Sequence, residues 1–158
     1  MITLKEITTH DSNEIFDELQ MLFVKMYQYM NDTGLNLKLS NDGASIWCNS
    51  IRKTLGRINY ISCAFENDKM IGFGVASLRI APPYLDNLKI GAISPIYVLQ
   101  ENRNSGAGKL ILDELEKWFK KQNVHSIELE VLFQNEVGIN FWKKNNYMQE
   151  LLKMRKIK

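Results

Sequence analysis

The chain has 158 residues, which is long enough for one domain with a hydrophobic core and short for two. It is 45% hydrophobic and 24% charged, as globular proteins are, and no apolar run approaches the roughly 20 residues that cross a bilayer. The formal net charge of +2 is too small to indicate a nucleic-acid partner. We therefore expect a single domain over residues 1–158 that binds neither nucleic acid nor a membrane.

The first residues and the two cysteines bear on the compartment. Met1–Glu6 alternates like a strand and lacks the charged and then apolar build of a signal peptide. Cys48 and Cys63 lie in apolar segments, and two cysteines form neither a disulfide framework nor a metal-ligand cluster. We expect reduced thiols, no metal site and a cytoplasmic location.

A short strand and a long helix open the chain. The apolar residues of Ile2–Ile7 fit a strand loosely, and those of Ser12–Met30 recur at three- and four-residue spacing, which predicts an amphipathic helix. Asp11 and Glu14 are three residues apart and predict a capping box at the start of this helix.

A second helix and a hairpin follow. Helical spacing of apolar residues predicts a helix over Ala44–Leu55. Asn59–Phe65 and Met70–Ile80 read as strands joined by the polar turn Glu66–Lys69, so we expect them to pair in an antiparallel hairpin.

The next strand is irregular. Leu88–Val98 predicts a strand, but it contains Gly91 and Pro95, which indicate a bulge or a splayed edge. A helix over Leu110–Gln122 and a strand over Ser126–Val131 come after it.

Met148–Lys156 is predicted to form the last strand and close the sheet. The whole order of elements predicts an α/β protein with a mostly antiparallel sheet.

The segment Arg103–Lys109 stands between the irregular strand and its following helix and reads Arg-Asn-Ser-Gly-Ala-Gly-Lys. Gly106 and Gly108 carry no Cβ, so the backbone can turn sharply and direct N–H groups into one small space at a helix N-terminus. The helix dipole favours negative charge at that place. The segment therefore predicts a phosphate-binding turn.

Two common phosphate-binding motifs do not fit this turn. A P-loop requires Gly where Arg103 stands and Ser or Thr where Leu110 stands. The dinucleotide fingerprint requires a third Gly where Ile111 stands. The remaining pattern is Arg-x-x-Gly-x-Gly at the end of a strand.

This pattern resembles the pyrophosphate loop of the GNAT superfamily of acyl-CoA-dependent N-acetyltransferases. The resemblance continues over Asn135–Tyr147, where an Asn opens a short helix that ends in a turn and an aromatic residue. It implies the GNAT fold, which is a mixed, mostly antiparallel sheet flanked by helices. It also implies acetyl-CoA as cosubstrate, an amine as acceptor, and a monomer or a homodimer.

The resemblance also implies roles for individual residues. Backbone N–H groups of the turn would hold the pyrophosphate, with Arg103 supplying turn geometry or charge. The strand end at Tyr97 and Val98 would pair with the pantetheine amides, and an N–H there would polarise the thioester carbonyl. Asn135 matches a position whose side chain commonly bonds the pantetheine arm. The implied coenzyme-binding positions are Tyr97, Val98, Arg103, Asn104, Ser105, Gly106, Ala107, Gly108, Lys109, Asn135 and Trp142.

The catalytic acid and base are less clear. The tyrosine that protonates the departing thiolate in the family is expected at Trp142, and an indole N–H does not donate a proton at neutral pH. Tyr97 is the candidate substitute, against the alternative of a packed strand tyrosine. Asp86 and Glu101 are the carboxylates nearest in sequence to serve as base, and both also fit ordinary loop charges.

The leading hypothesis is an N-acetyltransferase that moves an acetyl group from acetyl-CoA to a primary amine of a small molecule or peptide by direct transfer. The alternative is a non-catalytic or weakly active acyl-CoA-binding protein of the same fold, motivated by Trp142. A weaker third reading is a protein-interaction module, motivated by the basic tail and the exposed aromatic residues of the first helices. No motif identifies the acceptor.

Overall fold

A computed structural model describes residues 1–158 and contains one five-stranded sheet with helices on both faces. The elements in chain order are β1 (Thr3–Ile7), α1 (Asn13–Asp32), α2 (Gly43–Arg52), β2 (Asn59–Glu66), β3 (Lys69–Ile80), β4 (Lys89–Val98), α3 (Ala107–Gln122), β5 (Ser126–Leu129) and α4 (Glu136–Lys144). The strands lie side by side in the order β1-β2-β3-β4-β5. The pairs from β1 to β4 are antiparallel and β4 pairs with β5 in parallel, so the predicted α/β class with a mostly antiparallel sheet is confirmed.

Two apolar layers hold the helices to the sheet. On one face, α1 and α2 pack through Leu19, Phe23 and Ile51 against strand residues that include Phe73. On the other face, α3 packs through residues such as Leu115, and part of α4 joins this layer. None of the helices combines the length and apolar character needed to cross a membrane.

The start of α1 differs from the prediction. Asp11 does not cap the helix, because its carboxylate accepts the N–H of Thr8 at 2.7 Å and forms an ion pair with Lys5 at 2.5 Å. Ser12 occupies the N-cap position without a side-chain hydrogen bond. The predicted capping box is therefore wrong, since Asp11 closes the preceding turn instead.

The irregularity predicted within the strand Leu88–Val98 is confirmed. The register between β3 and β4 shifts opposite Gly74 and Ala76, and the Ser94–Pro95 peptide bond is cis. On its other side, β4 pairs with β5 only as far as Ile93, which lies opposite Leu129. Because β4 continues to Val98, the part of β4 after Ile93 has no strand beside it on the side of α4, and we call this side the open edge.

The predicted last strand, Met148–Lys156, is wrong. The segment has no regular secondary structure, and its apolar side chains are exposed, with Leu151 at 90%. Lys153 Nζ forms an exposed ion pair with Glu130, the residue after β5, at 2.8 Å from its Oε1. Alternating apolar residues predict which face of a strand would be buried, but they do not identify a neighbouring strand to pair with. The available edge strand, β5, has only four residues.

Candidate functional site

The glycine turn lies where β4 passes into α3. Gly106 is the N-cap of α3 and has a φ of 89°, in the left-handed region. A Cβ at this position would meet no atom within 4 Å, so the backbone conformation and not lack of space requires glycine. Asn104 is also left-handed, with a φ of 62°. The helix therefore starts at Ala107, three residues earlier than the apolar periodicity predicts.

The first turn of α3 presents free backbone donors. Leu110 N–H donates to Gly106 O at 3.1 Å as the first bond of the helix, and Ala107 N–H donates to Ser105 Oγ at 3.3 Å. The N–H groups of Gly108 and Lys109 have no acceptor in the protein. This first turn also holds no acidic side chain. The turn thus provides unpaired donors at the positive end of a helix dipole, as an anion requires.

The side chain of Arg103 contacts the end of β4 and a tyrosine of α1. Its Nε donates to Val98 O at 3.3 Å, and its Cζ lies 4.3 Å from the ring centroid of Tyr29. The ring of Tyr97 is 5.9 Å from the same carbon. Of the two roles considered for Arg103, this placement favours turn geometry over charge on a phosphate.

The open edge of β4 presents some backbone groups and hides others. Leu99 N–H donates to Ile71 O at 2.8 Å, and paired residues alternate between bonded and non-bonded along an antiparallel ladder. By this alternation the N–H and C=O of Tyr97 point toward β3. Those of Ile96 and Val98 point to the open edge. Sequence reasoning grouped Tyr97 with Val98, because the strand phase depends on a pairing that the sequence does not specify.

The Tyr97 side chain belongs to the core beneath α1. The residue is 8% exposed, and its ring centroid lies 6.4 Å from that of Phe73. Burial raises the pKa of the Tyr97 phenol, with the Arg103 charge opposing part of that effect. The hydroxyl is therefore protonated at neutral pH.

Asn135 joins α1 to α4. It is the N-cap of α4, and its Oδ1 accepts the N–H of Gly138 at 3.0 Å, which confirms the predicted helix start. The same oxygen accepts the hydroxyl of Tyr29 at 3.0 Å. The sequence identified Asn135 but not its partner. The only signal was that Tyr27 and Tyr29 fall on different faces of α1, so that one of them could face a cleft.

Trp142 lies on α4 and packs against two aromatic side chains. Its ring is edge-on to Phe141 at 5.0 Å and to Tyr147 at 5.1 Å between centroids. The Tyr147 hydroxyl donates to Glu116 Oε1 at 2.9 Å. Burial and this carboxylate raise the pKa of Tyr147, and its hydroxyl proton is already committed to Glu116. The tryptophan therefore occupies its expected helix, and the neighbouring phenol is already engaged.

Two separate concavities contain the carboxylates near the site. Glu101 lines one of about 520 Å³ between α1 and the β2–β3 turn, together with Glu18 and Lys25. A cleft of about 350 Å³ lies between α1 and α4, and we refer to it as the α1–α4 cleft. Its lining residues are Tyr29, Asp32, Thr33, Gln134, Asn135, Glu136 and Val137. Asp86, the other predicted base, follows the turn Pro83–Leu85 and lines neither concavity.

A glycine turn, a splayed parallel pair and an asparagine-capped helix together define an acetyltransferase-type fold. The sequence matches the Acetyltransferase (GNAT) family over residues 23–147. The chain belongs to the GNAT acetyltransferase family, as its sequence motifs indicated.

Solved structures agree with this fold. A mutant of the BH1408 protein from Bacillus halodurans superposes with a TM-score of 0.81 at 19% identity, covering 98% of each chain. The aminoglycoside N-acetyltransferase AAC(6')-Iy in complex with CoA gives 0.76 at 14% identity, covering 99% of this chain and 95% of that one. Glucosamine-6-phosphate N-acetyltransferase from Arabidopsis thaliana gives 0.69 at 15% identity, covering 99% and 98%. The comparison with curated proteins found no significant match.

Proposed function

We propose that this protein is a single-domain N-acetyltransferase that moves an acetyl group from acetyl-CoA directly to a primary amine of a small molecule or peptide. The observation that carries the proposal is that two sets of free backbone donors lie next to each other. The open edge of β4 at Val98 leads into the unpaired N–H groups of Gly108 and Lys109. This order suits a ligand that carries amides at one end and a diphosphate at the other.

The turn from Asn104 to Lys109 holds the diphosphate through backbone N–H groups. Its lysine acts little as a point charge, because the Lys109 ammonium pairs with Asp113 one helical turn along. Val98 contributes its N–H to the pantetheine arm or to the thioester carbonyl, and Asn135 contributes its side-chain amide. Tyr97 acts through its phenol, since its backbone faces β3.

The α1–α4 cleft is the proposed acceptor site. It adjoins Asn135 and carries the carboxylates of Asp32 and Glu136 at its surface, which attract a protonated amine. The structural relatives named for aminoglycoside and glucosamine-6-phosphate acetylation support an amine acceptor. At such low identities these relatives share only the fold with this chain, so we propose a primary amine as the acceptor and no particular compound.

The chemistry needs a neutral amine and a stabilised oxyanion. An alkylamine with a pKa of about 10.4 is almost wholly protonated at neutral pH, so its proton passes to water or to a cleft carboxylate. The amine nitrogen then forms a bond to the thioester carbon, and the N–H of Val98 stabilises the oxyanion. The carbon–sulfur bond breaks, and the nitrogen loses its second proton to water or to the same cleft carboxylate. The thiolate takes up a proton, which we assign to the Tyr97 phenol, and water then returns a proton to the phenolate. A thiol with a pKa of roughly 8.5 is already a tolerable leaving group, so this proton is an aid and not a condition.

The test is release of free thiol from acetyl-CoA in the presence of a panel of primary amines. We expect thiol release that depends on both the protein and the amine, with acetylated amine as the second product. Acetyl-CoA that neither binds nor reacts would contradict the proposal.

The second candidate is a non-catalytic or weakly active acyl-CoA-binding protein. Trp142 favours it, because an indole stands at the family's acid position and Tyr147 nearby is held by Glu116. A rise in melting temperature with acetyl-CoA, but no turnover of any amine, would support this candidate. A Trp142→Tyr variant that gains turnover would then locate the cause.

A further inference from the structure

Tyr29 makes a contact that the proposed reaction does not yet use. It lies near the end of α1, and its hydroxyl donates to Asn135 Oδ1 at 3.0 Å across 106 residues of sequence. The same oxygen accepts the N–H of Gly138 at 3.0 Å. Because Gly138 N–H can only donate, the atom facing it is the oxygen of the amide. Both lone pairs of Oδ1 are therefore occupied by protein donors.

The other end of the carboxamide is free. Asn135 Nδ2 has no hydrogen-bond partner in the protein, and it is accessible to solvent. Gly138 leaves room for it, since a Cβ at that position would lie 2.5 Å from Nδ2. The side chain thus offers two N–H donors beside the α1–α4 cleft.

The ring of Tyr29 is held from its other side. The Arg103 guanidinium lies 4.3 Å above the ring centroid, and the same side chain donates through Nε to Val98 O at 3.3 Å. Tyr29 therefore connects Asn135 of α4 to the end of β4 through one ring and one hydroxyl. Removing the hydroxyl leaves the ring contact with Arg103 intact.

We propose that Tyr29 is a positioning residue of the coenzyme site, which holds the Asn135 carboxamide so that Nδ2 donates to an amide carbonyl of the pantetheine arm. The inference rests on the proposed function. Its physical basis is the conformational entropy that the Asn135 side chain would otherwise lose when the ligand binds. A carboxamide held by one donor can tilt about its side-chain bonds, whereas one held by two donors from different helices is fixed before the ligand arrives.

The experiment compares Tyr29→Phe with Tyr27→Phe, a tyrosine two residues away whose ring packs on Phe23 and whose hydroxyl makes no hydrogen bond. Binding of CoA and of ADP is measured for each by calorimetry, because ADP carries the diphosphate but no pantetheine arm. We expect Tyr29→Phe to weaken CoA binding about three- to tenfold, as the loss of one hydrogen bond does, and to leave ADP binding unchanged. Tyr27→Phe should bind both ligands like the wild type.

A double-mutant cycle separates positioning from general weakening. In the Asn135→Ala background, Tyr29→Phe should have no further effect on CoA binding. With acetyl-CoA as substrate, Tyr29→Phe should raise KM and change kcat little. As a direct readout, the side-chain NH2 resonances of Asn135 should move on addition of CoA but not of ADP in the wild type, and should broaden in Tyr29→Phe.

Three results would overturn the inference: unchanged CoA binding by Tyr29→Phe, an equal loss of CoA and ADP binding, or additive effects in the double mutant. Each of these leaves the proposed function standing, provided that the wild type binds CoA. A wild-type protein that binds no CoA would remove both.

Discussion

The two halves of the candidate coenzyme site are built in opposite ways. The turn at the start of α3 consists of consecutive residues, and its donors are backbone N–H groups whose directions follow from the φ of Gly106. The junction of Tyr29, Arg103 and Asn135 runs from the end of β4 to the border of the α1–α4 cleft, and its donors are side chains that other side chains hold. The first is a local structure and the second depends on the whole fold.

This difference predicts how each half fails. A backbone donor set has no side chain to shorten, so it is disrupted only when an added group fills the space that it encloses. A side-chain junction weakens in steps, one hydrogen bond or one stacking contact at a time. Substitutions in the turn should therefore act on binding abruptly, and substitutions in the junction should act gradually.

Gly108→Val should have the largest effect. A Cβ at this position would lie 3.5 Å from Phe141 and 3.9 Å from the Val98 side chain, which are ordinary contact distances. We expect CoA affinity to fall about 100-fold, equal to about 2.7 kcal/mol, because the branched side chain occupies the space before the free N–H groups. Lys120→Val is the control, since it places the same β-branched residue at an exposed position of α3 outside the turn. Unchanged affinity in a folded Gly108→Val protein would show that the turn binds no phosphate.

Tyr97→Phe tests whether the strand end also supplies the acid. We expect kcat to fall about tenfold, at the low side of the usual contribution of acid catalysis, with KM for acetyl-CoA unchanged. Because burial raises the pKa of this phenol above its ordinary value of 10.0, the wild-type rate should not decline through this group below about pH 10. A pH–rate profile of both proteins checks this. Equal plateaus would reduce Tyr97 to a packing residue.

Arg103 offers a test that distinguishes the two halves directly. If its role is geometric, Arg103→Lys and Arg103→Ala should weaken CoA binding by the same factor of about three, since neither retains both the Nε bond to Val98 and the stack on Tyr29. The two changes should act alike on ADP as well. If Arg103→Lys instead keeps full affinity and Arg103→Ala does not, the charge itself contacts the phosphate.

The last prediction concerns the stability of the whole protein at alkaline pH, which should affect both halves of the site equally. Burial raises the pKa of the Cys63 thiol in β2 and of the Tyr60 phenol, the latter to about 12. A raised pKa in the folded state gives stability that is complete below the unfolded pKa, near 8.5 for a thiol, and is lost as pH rises above it. We expect the melting temperature to fall by about 5 °C between pH 8 and pH 10. Cys63→Ala should have a flatter profile over this range, and an equally steep one would contradict the assignment.

Local patterns predicted much of this protein because their causes are local. The spacing of apolar residues determines which stripe of Ser12–Met30 can be buried, and the observed helix is α1, over Asn13–Asp32. The polar turn Glu66–Lys69 was predicted to join two antiparallel strands, and in the structure it joins β2 to β3. Asp11 failed as a cap for a reason of the opposite kind, since Lys5 and Thr8 compete for the same carboxylate.

The turn could be predicted from the residues alone, because Gly106 and Gly108 act through their backbone torsions and the absence of a Cβ. The start of α4 at Asn135 could be predicted in the same way. Three features became visible only in the folded chain: Tyr29 bonds to Asn135, Val98 and not Tyr97 turns its N–H outward, and the segment after Tyr147 has no strand partner. Each of these depends on the pairing of distant segments, and the energy of a contact is defined only once both partners have been placed.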